Sequence, residues 1–245
     1  MIIMILVLGA WILGTINQVT AAEQETAQFY HQRGFESIKK GQLDQAIADF
    51  NRAIQINPKY AEAYLSRGAA YSAKGQLDLA IADCNQALQI NPSYGAYINR
   101  GVAYRSKGQF DQAIADFNRA IQINPKNAVA YLNRGVAYAE KGQLDQAIVD
   151  FGQAIQINPR YAEAYDNRGM VYKRKGQLNQ AIADFNQAIK SNPRLVEAYF
   201  NRGVTYYEKG QLDQAWADVH QVQKLGFEVP SDFLEALSRA SGRKR

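Results

Sequence analysis

A short motif recurs along this chain about every 34 residues, and this period constrains the fold more than any other feature. Asparagine-proline pairs mark it, with prolines 34, 33, 34 and 34 residues apart at Pro58, Pro92, Pro125, Pro159 and Pro193. A Lys-Gly-Gln motif and a tyrosine each recur six times at the same spacing. A fixed period of this size indicates stacked units, since one such unit cannot bury its apolar face alone. The 245 residues therefore predict six repeats rather than one or two ordinary domains.

Each repeat is predicted to contain two helices. In the fourth repeat, Tyr131, Gly135 and Tyr138 are spaced so that they share one face of a first helix. The glycine of Lys-Gly-Gln is the usual left-handed stop for such a helix. A second helix is expected from about Leu144, and it ends before Pro159 because proline cannot continue the hydrogen-bond ladder.

This pattern resembles the tetratricopeptide repeat. In the fourth repeat the likeness is carried by Tyr131, Gly135, Tyr138, Ala147, Phe151, Ala154 and Pro159. The resemblance implies an all-α fold, a right-handed α-solenoid of six helix-turn-helix repeats with a concave groove. It also implies a non-catalytic module that binds an extended peptide or a partner protein in that groove. A structural scaffold or assembly factor of an envelope complex, acting through its end units, is the alternative.

The two ends of the chain differ from the repeats, which we place at residues 23–226. Residues 227–245 are predicted to form a capping helix and a basic tail, with Ser231 or Asp232 as N-cap, Glu235 completing a capping box and Gly242 ending the helix. Its apolar face, expected to cover the sixth repeat, consists of Phe233, Leu234 and Leu237.

Residues 1–22 are predicted to be a targeting segment. Met1 to Ile16 is apolar and uncharged, and Val19 and Ala21 offer the small side chains of a cleavage site. This favours a signal peptide and an exported, periplasmic or extracellular protein. An uncleaved N-terminal membrane anchor is the alternative, and it is the only membrane contact that we expect.

Two charged series recur together, with each arginine 16 residues before its aspartate. Because an antiparallel helix pair can bring such positions together and arginine suits a carboxylate, we predict internal ion pairs. An arginine ladder that faces a polyanionic ligand is the alternative. The predicted pairs are Arg33–Asp49, Arg67–Asp83, Arg100–Asp116, Arg134–Asp150, Arg168–Asp184 and Arg202–Asp218.

An asparagine precedes the last four of the six arginines, at a position that faces the groove in similar tetratricopeptide proteins. An amide there can donate to and accept from an extended peptide backbone; a merely solvated asparagine row is the alternative. The partner-binding residues that follow are the amides Asn99, Asn133, Asn167 and Asn201, the apolar Val102, Val136 and Met170, and the charged Arg105, Lys173 and Arg174.

Several classes of function find no support in the sequence. One cysteine and two histidines provide neither a disulfide framework nor the usual metal sites. No phosphate-binding loop or hydrolase motif is present, so we expect no enzyme and no cofactor. A net charge of +5 and fifteen tyrosines could suggest nucleic-acid binding. However, most of the tyrosines belong to the repeat, and both signs of charge alternate along it. We therefore expect no binding to nucleic acid.

Overall fold

The computed structural model describes residues 26–242, so the predicted targeting segment and the basic tail at residues 243–245 lie outside the described residues. The described part contains thirteen α-helices and no strand, which confirms the all-α class. The first helices of the pairs are α1 (Ala27–Lys39), α3 (Ala61–Ala73), α5 (Tyr94–Ser106), α7 (Ala128–Glu140), α9 (Ala162–Arg174) and α11 (Val196–Glu208). The second helices are α2 (Leu43–Ile56), α4 (Leu77–Ile90), α6 (Phe110–Ile123), α8 (Leu144–Ile157), α10 (Leu178–Ser191) and α12 (Leu212–Lys224), and α13 (Ser231–Ser241) follows.

The turn between the two helices of a pair follows from the Lys-Gly-Gln motif. Gly142 has a φ of 85°, a left-handed conformation that side chains with a Cβ rarely adopt. This lets the Gln143 backbone N–H donate to the Tyr138 carbonyl at 2.8 Å and close the end of α7. At the end of α8, the Asn158 side chain accepts a hydrogen bond from the Arg160 backbone N–H at 3.1 Å. The predicted helix ends are therefore confirmed.

A glycine on each first helix sets how closely the two helices of a pair approach. A Cβ on Gly135 would lie 2.8 Å from Cε1 of Phe151, so glycine lets the buried ring rest against the backbone of α7. In the second pair Cys84 replaces the phenylalanine and lies 1% exposed. Burial raises the pKa of its thiol to about 12. Cys84 is therefore an inert core residue.

The chain divides into two compact units whose boundary lies within α6, after Ala120. Helices of one pair pack together, as α1 and α2, α3 and α4, α7 and α8, α9 and α10, and α11 and α12 do. A second helix also packs against the next first helix within a unit: α2 against α3 and α4 against α5 in unit 1, and α8 against α9 and α10 against α11 in unit 2. Successive first helices also touch within a unit, as α7, α9 and α11 do. This consecutive packing is typical of an α-solenoid. Among residues 26–242, no helix combines the length and the apolar character needed to span a lipid bilayer.

The last helix, α13, covers the sixth helix pair. Leu237 is fully buried and packs with Trp216 and Val219, while Phe233 and Leu234 pack beside them. The predicted capping box is wrong: Pro230 is the N-cap and the helix starts at Ser231. The Pro230 carbonyl instead accepts backbone hydrogen bonds from Phe233 and Leu234 at 3.1 and 3.2 Å. Gly242 ends the helix with a φ of 68°, as predicted.

Candidate functional site

The repeated arginines lie beside their predicted aspartates in all six pairs. In unit 1, Arg67 donates from Nε and Nη2 to the two oxygens of Asp83, at 2.8 and 2.6 Å. Its remaining Nη1 donates at 2.6 Å to Asn51 on the preceding second helix. The same third contact joins Arg100 to Asn85 and Arg202 to Asn186. Each of these arginines therefore links two consecutive pairs.

Two tyrosine rings flank each of these guanidinium groups. The Arg67 guanidinium carbon lies 5.5 and 5.8 Å from the ring centres of Tyr64 and Tyr71. The hydrogen bonds that Arg67 donates to Asp83 raise the pKa of its guanidinium group. Its side chain is only 19% exposed. Arg67 and Asp83 therefore form a bidentate ion pair between packed helices. This pair is part of the internal structure of the repeat.

Two arginines lack the asparagine contact. Arg33 is in the first described pair, and its side chain is 49% exposed. Arg168 follows Gly152, whose counterparts on the other second helices are Asn51, Asn85, Asn118, Asn186 and His220. A Cβ on Gly152 would lie 3.8 Å from Nη1 of Arg168, so this nitrogen faces a gap. Sequence analysis missed the asparagine contact, although the recurrence of these asparagines signals it.

A second charged series was also missed. The lysine of Lys-Gly-Gln forms an ion pair with an aspartate in the first turn of the preceding second helix, in the pairs Lys74–Asp44, Lys107–Asp78 and Lys175–Asp145. Both residues recur at the repeat spacing, about 30 positions apart, so the pattern was available in the sequence. These pairs tie consecutive helix pairs together at the surface.

The predicted partner-binding residues of unit 2 lie on the first helices. Val136, Asn167, Met170 and Arg174 line one cavity of about 170 Å³, together with Phe151. A second cavity, of about 300 Å³, is lined by Met170, Lys173, Arg174, Asn201 and Glu208. The two cavities share Met170 and Arg174 and are therefore neighbours. We call these two cavities and their lining residues the α7–α11 face.

The two asparagines of this face, and Asn133 one repeat before Asn167, are oriented by their own helices or by a neighbouring helix. Asn133 and Asn167 each donate to the backbone carbonyl four residues earlier, at 2.9 and 2.8 Å. One amide hydrogen and the amide oxygen of each side chain stay available to a ligand. Asn201 instead donates to both carboxylate oxygens of Asp166, at 3.0 and 3.3 Å. Asn201 is therefore held from the preceding first helix, which the sequence did not predict.

Asp166 is an unusual group on a first helix. It is 8% exposed, and its counterparts one repeat before and after it are Leu132 and Phe200. Burial raises its pKa to about 6, and the nearby Glu197 and Glu163 raise it as well, whereas the Asn201 hydrogen bond lowers it. The apolar surroundings cause this shift because they penalise the ionised form.

The predicted residues of unit 1 lie on α5, where Asn99, Val102 and Arg105 are all partly exposed. In the first pairs, Nε2 of His31 lies 2.9 Å from the hydroxyl of Ser66, which takes the place of the repeated asparagine. Burial lowers the pKa of His31. In unit 2, most of the predicted residues instead line the two cavities of the α7–α11 face.

Comparison with known proteins agrees with this architecture. A family model described as "TPR repeat" matches residues 36–75, 101–142, 135–176 and 169–210. A second, described as "Tetratricopeptide repeat", matches residues 61–94. No curated protein sequence gives a significant match.

Solved structures share the fold at low sequence identity. The Cut9-Hcn1 hetero-tetramer of APC/C matches at TM-score 0.77 and 18% identity over 91% of this chain, which spans 44% of that chain. PilW, a type IV pilus biogenesis factor, matches at TM-score 0.77 and 22% identity, over 86% of this chain and 98% of its own. YrrB, a TPR protein with an unusual peptide-binding site, matches at TM-score 0.56 and 23% identity, over 74% and 94%.

Proposed function

Because the chain belongs to the tetratricopeptide repeat family, whose members are generally non-catalytic protein-interaction modules, we propose that it binds an extended segment of a partner protein. The α7–α11 face is the proposed site. The observation that carries the proposal is the pair of neighbouring cavities, lined by Val136, Asn167, Met170, Lys173, Arg174 and Asn201. These residues combine apolar contacts with groups that can bond a peptide backbone, as peptide-recognition surfaces do.

The amide groups support a peptide as ligand. Asn133 and Asn167 are each anchored by one hydrogen bond to their own helix, which reduces the entropy lost when a ligand binds. Each then offers a donor and an acceptor to an extended backbone. The likeness to YrrB, whose structure is described as having a peptide-binding site, agrees with this proposal.

Cross-linking mass spectrometry of the tagged full-length protein in its native membrane and envelope fractions tests the proposal. The paired variant Asn133→Ala and Asn167→Ala should lose the main cross-linked partner. Gln153→Ala with Gln187→Ala, two exposed amides on second helices, is the matched control and should keep it. An unchanged partner in the first variant would contradict binding through the asparagines.

Export of the protein is a separate part of the proposal and rests on residues 1–22. The same fractions test it, because the mass of the mature N-terminus distinguishes a cleaved signal peptide from a retained anchor. If the protein were recovered from the soluble cytoplasmic fraction with residues 1–22 intact, that result would contradict both the signal peptide and the membrane anchor.

Assembly through end units is the second candidate function. The observation that favours it is an exposed aromatic ring near an end of each unit: Phe35 on α1, 46% exposed, and Phe227 before α13, 58% exposed. Exposed aromatics of this kind are common at protein interfaces. Light scattering after size exclusion should show a mass that rises with concentration, and a constant monomer mass would contradict this function.

A further inference from the structure

We infer that the α7–α11 face selects a segment with one apolar side chain and an aspartate or glutamate two residues away. This inference rests on the proposed function and specifies its ligand. In an extended backbone, residues two apart point to the same side, so both side chains can enter neighbouring cavities. The two cavities that share Met170 and Arg174 provide this arrangement.

The first cavity is suited to a single apolar side chain. Val136, Phe151 and Val171 line it, and Met170 on its rim is 43% exposed. Its volume of about 170 Å³ is below the roughly 300–1,000 Å³ of sites for small molecules. Methionine can adapt its shape to the bound group because its side chain is flexible. An anchor residue of a peptide therefore fits this cavity better than a separate small ligand does.

Charge complementarity gives the second feature of the ligand. Around the two cavities, Lys173 pairs with Glu208 at 3.0 Å, and Glu140 has an interaction of its own. Arg174 has no carboxylate partner among residues 26–242; its Nη1 donates to the Ala139 carbonyl at 2.9 Å. That bond holds the guanidinium at both cavities and leaves further donors for a carboxylate. Arg174 therefore contributes a positive charge to both cavities, while the buried Asp166 carboxylate is hydrogen-bonded to Asn201 of the second cavity.

The repeat itself marks Arg174 as specific to this site. Glu140 and Glu208 occupy its position one repeat before and one repeat after it. A glutamate is thus compatible with the helix at this place. The inference can therefore be tested with Arg174→Glu, a substitution that the neighbouring pairs already contain.

The experiment selects random peptides displayed on phage against the immobilised full-length protein. We expect enrichment of an apolar residue followed two positions later by aspartate or glutamate. Arg174→Glu should replace the acidic preference by lysine or arginine. A synthetic peptide with the enriched sequence should bind the variant about tenfold more weakly in fluorescence polarisation, because an attraction becomes a like-charge contact.

Two further variants assign the parts of the motif. Arg160→Glu makes the same charge change at an exposed site between α8 and α9, and it should leave the motif unchanged. Val136→Phe fills the first cavity with the residue that Phe35 provides at the same position of α1. We expect this variant to lose the apolar preference and to keep the acidic one.

The outcomes separate the inference from the proposed function. Enriched peptides that depend on Asn133 and Asn167 but show the same motif with Arg174→Glu would overturn the inference alone. A failure to enrich any peptide on the wild-type protein would overturn both. Circular dichroism and thermal unfolding of each variant establish that the fold is retained.

Discussion

Each repeated side chain has counterparts in the same local environment, so a departure at one position can be assigned a physical cause. Arg202 and Arg168 show this at the residue scale. Both arginines bind an aspartate through two nitrogens. The third nitrogen, Nη1, donates to Asn186 in Arg202, whereas in Arg168 it lies beside Gly152, which has no side-chain acceptor. The difference is one missing acceptor in an otherwise equal network.

Replacing Gly152 by asparagine should therefore stabilise the protein. Asparagine is a better helix residue than glycine, and it adds an acceptor for the charged Arg168. We expect the free energy of unfolding to rise by about 1–2 kcal/mol, measured by urea denaturation. The reciprocal substitution Asn186→Ala should lower the free energy of unfolding by about 1 kcal/mol because it removes the acceptor for Arg202, even though alanine favours helix. If the Gly152→Asn variant were no more stable than wild type, the asparagine would not be acting as a stabilising acceptor for Arg168.

Asp166 predicts a pH-dependent stability with a defined sign. Its pKa of about 6 in the folded protein is above the usual 3.8, so the folded state binds the proton more tightly. The contribution of Asp166 to the free energy of unfolding is therefore greatest at acid pH. It falls as the pH rises from about 4 through 6.

Asp166→Asn should remove this effect while retaining an acceptor for Asn201. We expect the variant to be more stable than wild type by up to about 3 kcal/mol at pH 7.5 and equal to it near pH 4. Urea denaturation across this range measures the difference. Glu228→Gln, at an exposed carboxyl group, is the control. An equal gain for Asp166→Asn at both pH values would show that charge burial is not its cause.

At the scale of single elements, helix positions followed from the sequence and some of their contacts did not. Apolar spacing, the Lys-Gly-Gln turn and Asn-Pro fix where each helix begins and ends, because these signals act within a few residues. The cap of α13 was predicted wrongly because serine and aspartate suit either the N-cap or the first turn, and only packing decides between them. The Asp166–Asn201 contact joins residues 35 positions apart, so no local rule reveals it.

The same limit applies to the candidate site. The sequence placed Val136, Asn167, Met170 and Arg174 on one face through the repeat period, and they line one cavity. The sequence did not reveal that Arg174 lacks an acidic partner. That property depends on the ion pairs that nearby residues form in the folded protein, such as Lys173 with Glu208.

The contacts of α13 predict how much this element contributes. Leu237 is fully buried against Trp216, whose indole nitrogen donates to the Ser241 hydroxyl at 2.9 Å. Leu237→Ala should cost about 2–5 kcal/mol of local stability through the cavity it leaves. We expect a red shift of tryptophan fluorescence at lower urea than in wild type. Leu79→Ala, at a leucine 48% exposed, should be nearly neutral. Equal effects of the two variants would show that α13 is not packed as described.

At the scale of the whole molecule, the count of 28 lysines and arginines overstates the number of positive side chains that are free to bind a ligand. In the described residues, six arginines pair with aspartates between helices, and Lys74, Lys107 and Lys175 pair with three more. Those three lysines have side chains 28–29% exposed, whereas their aspartate partners are 82–87% exposed. A polyanion that approaches these lysines therefore meets carboxylates first.

We therefore expect no salt-sensitive binding of the protein to nucleic acid. Fluorescence anisotropy with labelled single-stranded DNA and RNA should show no saturation at about 150 mM salt. The triple variant Asp44→Asn, Asp78→Asn and Asp145→Asn removes three negative charges, which raises the net charge from +5 to +8 and frees the three lysines. It should gain weak binding that falls as salt rises, with a slope of roughly 0.7 per phosphate contact. Steep salt-dependent binding by the wild-type protein would show that charge pairing does not prevent contact with a polyanion.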